Sequence, residues 1–587
     1  MTEKNESPIV GRVCKHAYLA HNKVNRDNDL LVAKITNVHE DGSRTHKLAK
    51  IENFKRDFYI VKKKHQGFKD KRDYIETNKC DKFSSNESRL ALNISKILFG
   101  RPDRNAQMAD IKNNPYVFGC QETVPVVYKE KYYRKYPDYQ PQEAYGVAAY
   151  DVETYILEDG GVGPVNMAST THGSHAFWAG IRSYFPAEDQ KDDAIILRKL
   201  NECAAKHLGE YMRLHNVEKI DWNIVETPGQ VVYANIQYWH HCNMDFIVSW
   251  NANFDMERNQ EALLNEGYDL ARTYSDPSIP DAYMDYSYFK GREYKTKVDG
   301  SRSPLESQER FPVVTAPARW QWFDGMSFYA IKRAPMGKKE SYSLQNTAIA
   351  EEVEGKLYIP EADHLQSGSV EWHKFMVKNF PYEYVMYNIR DNWVIEDLNR
   401  KTNDYSLSLP SLVTSSELKS YQSQPSMISD KLSFIALEHG YVWGTVGRKK
   451  EDIWKEIKPD LRDWIALLHA ELNEDKGKPI YAGLPSWRSR GRGDTDDIDV
   501  TGAYPHITVS LNVSNKTTKL EVCEVEGLDR IEFRRLGVNY ASSPIANAVT
   551  LCNTIYGMPQ LTDINSFYEE SVIPFLKEAK EELKKAA

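Results

Sequence analysis

No run of about 18 consecutive apolar residues occurs in this 587-residue sequence, so no stretch has the length and character of a membrane-spanning helix and no membrane partner is expected. Cysteine is scarce: seven residues, none in a Cys-x-x-Cys pair, which argues against a disulfide framework or a zinc ribbon and suggests reduced, structural thiols. The first residues, Met-Thr-Glu-Lys-Asn-Glu-Ser, lack the apolar centre of a secretory signal, and the cytoplasm is the expected location. An excess of positive charge is missing too, since 76 Lys+Arg against 84 Asp+Glu leave a net charge of −8. That excludes a wholly basic coat and still leaves room for local patches that hold nucleic acid. Internal repeats and low-complexity tracts are absent. What remains is ordinary globular composition, 41% hydrophobic and 27% charged, in a chain long enough for several domains.

The order of periodic segments predicts an α/β multidomain protein. Residues 1–145 read as an N-terminal mixed α/β domain with strand-like runs at Phe58–Val61 and Val124–Tyr128. Two basic stretches there, within 55–72 (Lys62, Lys63, Lys64) and 129–135 (Lys129, Lys131, Arg134, Lys135), stand among aromatics and suit either a solvated face or a single strand. Residues 146–400 alternate strand and helix; Gly146–Val152 reads as a buried strand ending on an acid, and Leu197–Leu208 as an amphipathic helix. A helical connection is expected over 401–480, including Leu461–Leu472, and strands with turns over 481–565. A Pro-initiated helix is expected within 566–587.

Three acidic segments in fixed order carry the chemistry: Asp151-Val-Glu153, then Asn251-Ala-Asn-Phe254-Asp255, then Tyr387-Asn-Ile-Arg-Asp391. Asp151 and Glu153 are two apart and so point the same way on a strand, and Asp255 and Asp391 are candidates for the remaining places in one cation cage. Such a cage suits phosphodiester hydrolysis with two Mg²⁺ or Mn²⁺ ions about 3.5–4 Å apart, one activating a water and one stabilising the leaving 3′-oxygen. Tyr387 lies one helical turn before Asp391 and is placed to orient that water; Asn251 and Phe254 are candidates to hold the terminal nucleotide. His240-His241-Cys242 near Asp245 reads as packing, because adjacent residues on a strand face opposite ways.

Taken with Asp499-Val-Thr-Gly-Ala-Tyr504-Pro505, these segments resemble the family B DNA polymerases of large tailed bacteriophages, over about residues 50–587. Phe323–Lys332 and Ser341–Ala350 resemble the stretch before that family's third exonuclease motif. The resemblance implies a ribonuclease-H-like 3′-to-5′ proofreading exonuclease with Asp151, Glu153, Asp255 and Asp391 as metal ligands. It also implies a partial palm over 481–565 and the start of a fingers helix over 566–587. Within these, Asp499 would bind the catalytic metals and Val500 assist through its carbonyl, Tyr504 would lie under the incoming sugar, and Tyr481 and Gly483 would touch template. Gly502-Ala503 stands where the family usually has Ser-Leu, which puts the sugar selectivity of Tyr504 in doubt.

After residue 505 neither the family's Asn-Ser-x-Tyr-Gly segment nor its Asp-Thr-Asp appears in order. Asp494-Thr495-Asp496 precedes Asp499, and Asn553–Gly557 has Val549 in the place of the lysine; both read as coincidence. Lys584 falls where a phosphate-gripping cation is usual, and such binding needs several donors together. The expected function is therefore the N-terminal subunit of a split replicative polymerase, working on primer–template DNA and dNTP. A second polypeptide would complete the two-metal polymerising site, and any sliding-clamp contact would run through that chain. The alternatives are a stand-alone DNA 3′-to-5′ exonuclease with a degenerate palm, and a non-catalytic DNA-binding module of a replisome.

Overall fold

The computed structural model describes residues 7–444, apart from 26, 70, 73, 104, 139–144, 297–300, 335–336, 407, 410–415 and 422, together with the backbone of two strands at 518–524 and 531–538. Residues 1–447 pack as one compact unit and 448–587 as another. The protein is α/β with mixed sheets. Among the described residues no helix is long and apolar enough to cross a membrane.

An eight-stranded sheet dominates the first unit. At its centre the strand Val147–Ile156 pairs antiparallel with Val162–His172, which pairs antiparallel with His175–Ile181. On its other side it pairs in parallel with Phe246–Ser249, and that strand in parallel with Gln321–Asp324. Lys219–Val225 extends one edge; Val313–Thr315 and Ser287–Phe289 extend the other. Alternation along the central strand sorts its side chains: Tyr150 and Val152 enter one core, with Tyr150 edge-on to Trp239 and Trp322. Ala149, Asp151 and Glu153 face the opposite way, beneath the 22-residue helix Pro381–Thr402. That helix starts with Pro381 in its first turn, where the missing N–H costs nothing, and stops at Asn403 in the left-handed region.

The expected strand does not end on its acid. It runs on to Ile156 because its antiparallel partner continues to Val162, and this leaves both carboxylates mid-strand and rigidly held. The expected helix over Leu197–Leu208 is present as Asp193–His207, with Asp192 capping it through the Ala194 N–H. The strand at Phe58–Val61 is present within Arg56–Val61.

Val124–Tyr128 is helical instead, part of the helix Val124–Lys135. Val124 and Tyr128 are packed against the three-stranded sheet of residues 9–52, and Pro125 fits a first helical turn, so burial and the proline outweigh local β-preference. This also removes Lys129 from the basic stretch. It is buried, its ammonium donates to the Ser416 carbonyl at 2.6 Å, and burial lowers its pKa to about 8. Lys131 and Arg134 keep solvent contact and face Asp57 and Glu130. Over 401–480 the structure has a helix at Gln424–Glu438, followed by Tyr441–Trp443, which pairs with Tyr74–Glu76 and ties this segment to the N-terminal residues. The segments 445–480 and 566–587 lie outside the described residues. In 448–587, the strands Thr518–Glu524 and Ile531–Val538 form an antiparallel pair.

A buried ion pair joins the N-terminal sheet to the large one. Lys34 Nζ lies 2.7 Å from Asp245 Oδ1 and donates to the carbonyls of Asn243 and Met244 at 2.8 and 2.9 Å. Asp245 in turn accepts from the Gly146 N–H at the entry to the central strand. Removing one partner of a buried pair leaves the other uncompensated. Lys34→Met is therefore expected to cost about 3–5 kcal/mol, seen as a lower urea midpoint for the first unit.

Candidate active site

The acids of the three segments approach one another by different routes. Asp151 and Glu153 stand on the central strand, and Asp391 descends from the 381–402 helix above it. One carboxylate oxygen from each of these three lies within 4.8 Å of the others. Tyr384, Tyr387, Asn388 and Asp391, spaced by three or four along the helix, share its sheet-facing side. Tyr384 donates its hydroxyl to Glu153 Oε2 at 2.6 Å, and Asn388 Nδ2 donates to Asp151 Oδ2 at 2.7 Å, so the helix fixes both strand carboxylates.

Asp255 arrives from a third direction. The strand Phe246–Ser249 pairs with the central one only as far as Ala149, and the chain then turns through Asn251, at φ 66°, into the helix Ala252–Asn265. The left-handed corner suits asparagine better than most side chains. It puts Asp255 in the first helical turn, where Oδ1 accepts the Val152 N–H at 3.2 Å, a donor that the short neighbouring strand leaves unused. Asp324 holds the corner in place: its carboxylate accepts from the N–H groups of Ala252, Met326 and Ser327, so one acid serves two helix starts. Asn251 and Phe254 are exposed at the mouth of this turn.

Electrostatically the cluster is frustrated. Burial raises Asp151 well above the ordinary carboxylate range, and Glu153, Asp255 and Asp391 push it the same way. Burial lifts Glu153 to about 7; the Tyr384 hydroxyl opposes this and Asp391 adds to it. Asp255 is raised by burial and then by Asp324, against the pull of the Val152 N–H. Burial also raises Asp391, and there Lys356 holds the rise in check.

Lys356 is the cation of the site. Its Nζ donates to Asp391 Oδ2 at 2.5 Å and to the Tyr387 hydroxyl at 2.8 Å. Burial alone would lower its pKa, but Asp391 and Tyr387 more than reverse that and keep the ammonium charged. The loop that carries it is fastened to the same helix: Arg390 donates to the carbonyls of Glu354 and Gly355 at 2.8 and 3.0 Å. A side chain at Gly355 would meet the Gln345 amide, whose oxygen accepts the Lys356 N–H at 2.9 Å, and would have to displace that amide.

Asp151, Glu153 and Asp391 thus converge within 4.8 Å, Tyr387 joins them through Lys356, and Asp255 lies beside them on the Val152 N–H, outside that 4.8 Å group, with Asn251 and Phe254 on the exposed turn leading to it. Tyr481, Gly483, Asp499, Val500, Tyr504 and Lys584 lie outside the described residues. Tyr384, Asn388, Lys356, Arg390 and Asp324 are participants that the sequence reading did not assign. Tyr384 and Asn388 were findable from helical spacing relative to Tyr387 and Asp391. Lys356 carries no such signal, because it sits in a loop.

The donor set fits a hard divalent cation. It offers only carboxylate oxygens, the preference of Mg²⁺ and Mn²⁺, and Asp391 Oδ1 is buried with no hydrogen-bond partner. His240 and His241 close the helix Pro228–His241 rather than standing on a strand; His240 packs against Trp320 and shares a hydrogen bond with the Thr273 carbonyl at 3.2 Å, whereas His241 is exposed. No protein-family model matches the chain, and no curated protein matches it.

Proposed function

We propose that the chain is a metal-dependent 3′-to-5′ DNA exonuclease serving a family B-type DNA polymerase. The observation that carries this is the meeting of Asp151, Glu153 and Asp391 within 4.8 Å around a buried carboxylate oxygen that has no partner. The sheet supports a ribonuclease-H-like reading: an antiparallel meander whose first strand is extended sideways by two parallel strands, with the acids at mid-strand beneath a helix.

Asp151, Glu153, Asp255 and Asp391 would hold Mg²⁺ or Mn²⁺, which when bound supplies a water of lowered pKa and charge stabilisation at the leaving 3′-oxygen. The protein's own groups do the rest. Tyr387 accepts from Lys356 and so keeps its own O–H proton for donation into the cleft, where it can orient the attacking water. Asn251 and Phe254 give the terminal nucleotide a polar and an aromatic contact at the mouth. Lys356 limits the rise of the Asp391 pKa and so favours its ionised form. The same proposal includes a second chain that completes a polymerising site around Asp499.

A 5′-labelled single strand incubated with the protein should shorten from its 3′ end in Mg²⁺ and stop on addition of EDTA. Absence of any metal-dependent shortening would leave only a DNA-binding role. Asp499→Asn should abolish primer extension by the protein mixed with its completing chain and leave shortening intact; loss of shortening instead would reject the division into two sites.

A further inference from the structure

Away from the carboxylate cleft, a second set of ligand-type side chains converges where the Asp193–His207 helix packs on the start of the 381–402 helix. Cys203 Sγ, a ring nitrogen of His207 and a carboxylate oxygen of Glu383 all lie within 4.8 Å of one another. Cys203 and His207 are four residues apart and so rise from the same helical face, while Glu383 stands in the first turn of the other helix.

The place is largely enclosed. Cys203 is buried within a core cluster that includes Ile196, Leu200 and Tyr384, and the side chains of His207 and Glu383 are only 16% and 23% exposed. His207 Nε2 is buried with no hydrogen-bond partner, 4.0 Å from Glu383 Oε1. That is too long for a hydrogen bond, and an orphaned buried nitrogen is costly. Around a tetrahedral zinc, with bonds of about 2.0–2.3 Å, neighbouring ligand atoms stand about 3.3–3.8 Å apart. Closing the cluster therefore needs side-chain shifts of no more than roughly 1 Å.

We propose that Cys203, His207 and Glu383 form a binding site for a zinc-class divalent cation, with solvent as the fourth ligand, that clamps the 193–207 helix to the helix bearing Asp391. The mixture of thiolate, imidazole and carboxylate suits zinc, cobalt or cadmium, whereas the all-oxygen cleft suits magnesium. Burial, then Lys206, lowers the His207 pKa, so its ring is neutral with a lone pair to give. Burial raises the Cys203 thiol to about 12, so the thiol proton leaves as the metal–sulfur bond forms. No electron transfer is involved. Glu383 is next to Tyr384, whose hydroxyl holds Glu153, so the clamp would fix the helix turn nearest the cleft.

The test uses the full chain, stripped with a chelator and reloaded with Co²⁺ or Zn²⁺. Wild type should show a thiolate-to-cobalt charge-transfer absorption that Cys203→Ser lacks and that Asp151→Asn/Glu153→Gln retains. Zinc should slow alkylation of Cys203, read by peptide mapping against the other cysteines. Identical cobalt spectra for wild type and Cys203→Ser, or alkylation of Cys203 at the same rate with and without zinc, would overturn the proposal. If Cys203→Ser loses its fold, Glu383→Gln, at the edge of the site, decides: zinc binding weakened roughly tenfold or more supports the site, and unchanged binding removes it.

Discussion

Replacing Asp151 and Glu153 together by Asn and Gln is expected to lower 3′-end hydrolysis by about 10³-fold or more and, in EDTA, to make the protein harder to unfold above pH 7. Both effects come from the same crowding. The two carboxylates are half-buried beside Asp391 and Asp255, and the pKa of each is raised in the folded state. The folded protein then binds protons more tightly than the unfolded chain, so stability is greatest below the unfolded pKa, near 4. It falls as pH rises toward the folded values, about 7 for Glu153. The amide variant has no such titration. It should match wild type near pH 4 and exceed it at pH 8 by on the order of 1–3 kcal/mol, a size that allows for the partial solvent contact of both side chains.

Mg²⁺ should narrow that gap by stabilising wild type and not the variant. Urea midpoints at the two pH values, with and without the metal, measure all of this, and release of labelled nucleotide from a single strand measures hydrolysis. Hydrolysis that survives the double change would show that the cage has been misassigned. A variant less stable than wild type at pH 8 in EDTA would show that the acids stabilise the fold rather than strain it.

Lys356→Met should slow hydrolysis by about 10²-fold and shift the acid limb of the pH–rate profile upward. Lys356 acts as a positioning residue, through Asp391 and Tyr387. Without its ammonium, Arg390 is the chief cation left to lower the Asp391 pKa, so that acid holds its proton to higher pH. Tyr387 would lose the partner that fixes its hydroxyl. A change that only loosened the 351–369 loop would lower the rate at every pH and leave the limb where it was. An unmoved limb would therefore refute the coupling to Asp391, whatever the fall in rate.

That Asp151 and Glu153 share a strand face, and Tyr387 and Asp391 a helix face, was legible because both follow from local periodicity. Spacing of two on a strand and of four on a helix fixes which side chains share a face before any tertiary contact forms. The helix at 193–207 and the strand at 56–61 were legible for the same reason. Val124–Tyr128 misled because local β-preference is weak beside burial against a sheet and a proline at a helix start.

Other features had no local signature. Lys356 enters from a loop through the Arg390 anchors, Asp324 crosses from a neighbouring strand to brace the Asn251 corner, and Glu383 meets Cys203 and His207 only because two helices pack. By itself the sequence determined which residues carry acid, thiol and imidazole chemistry and which of them share an element face, because side-chain type and backbone period are local properties. Only the tertiary structure decided which elements lie against one another, and so which charges are buried together and which pKa values move, because burial and Coulomb interaction depend on distances between segments far apart in the chain.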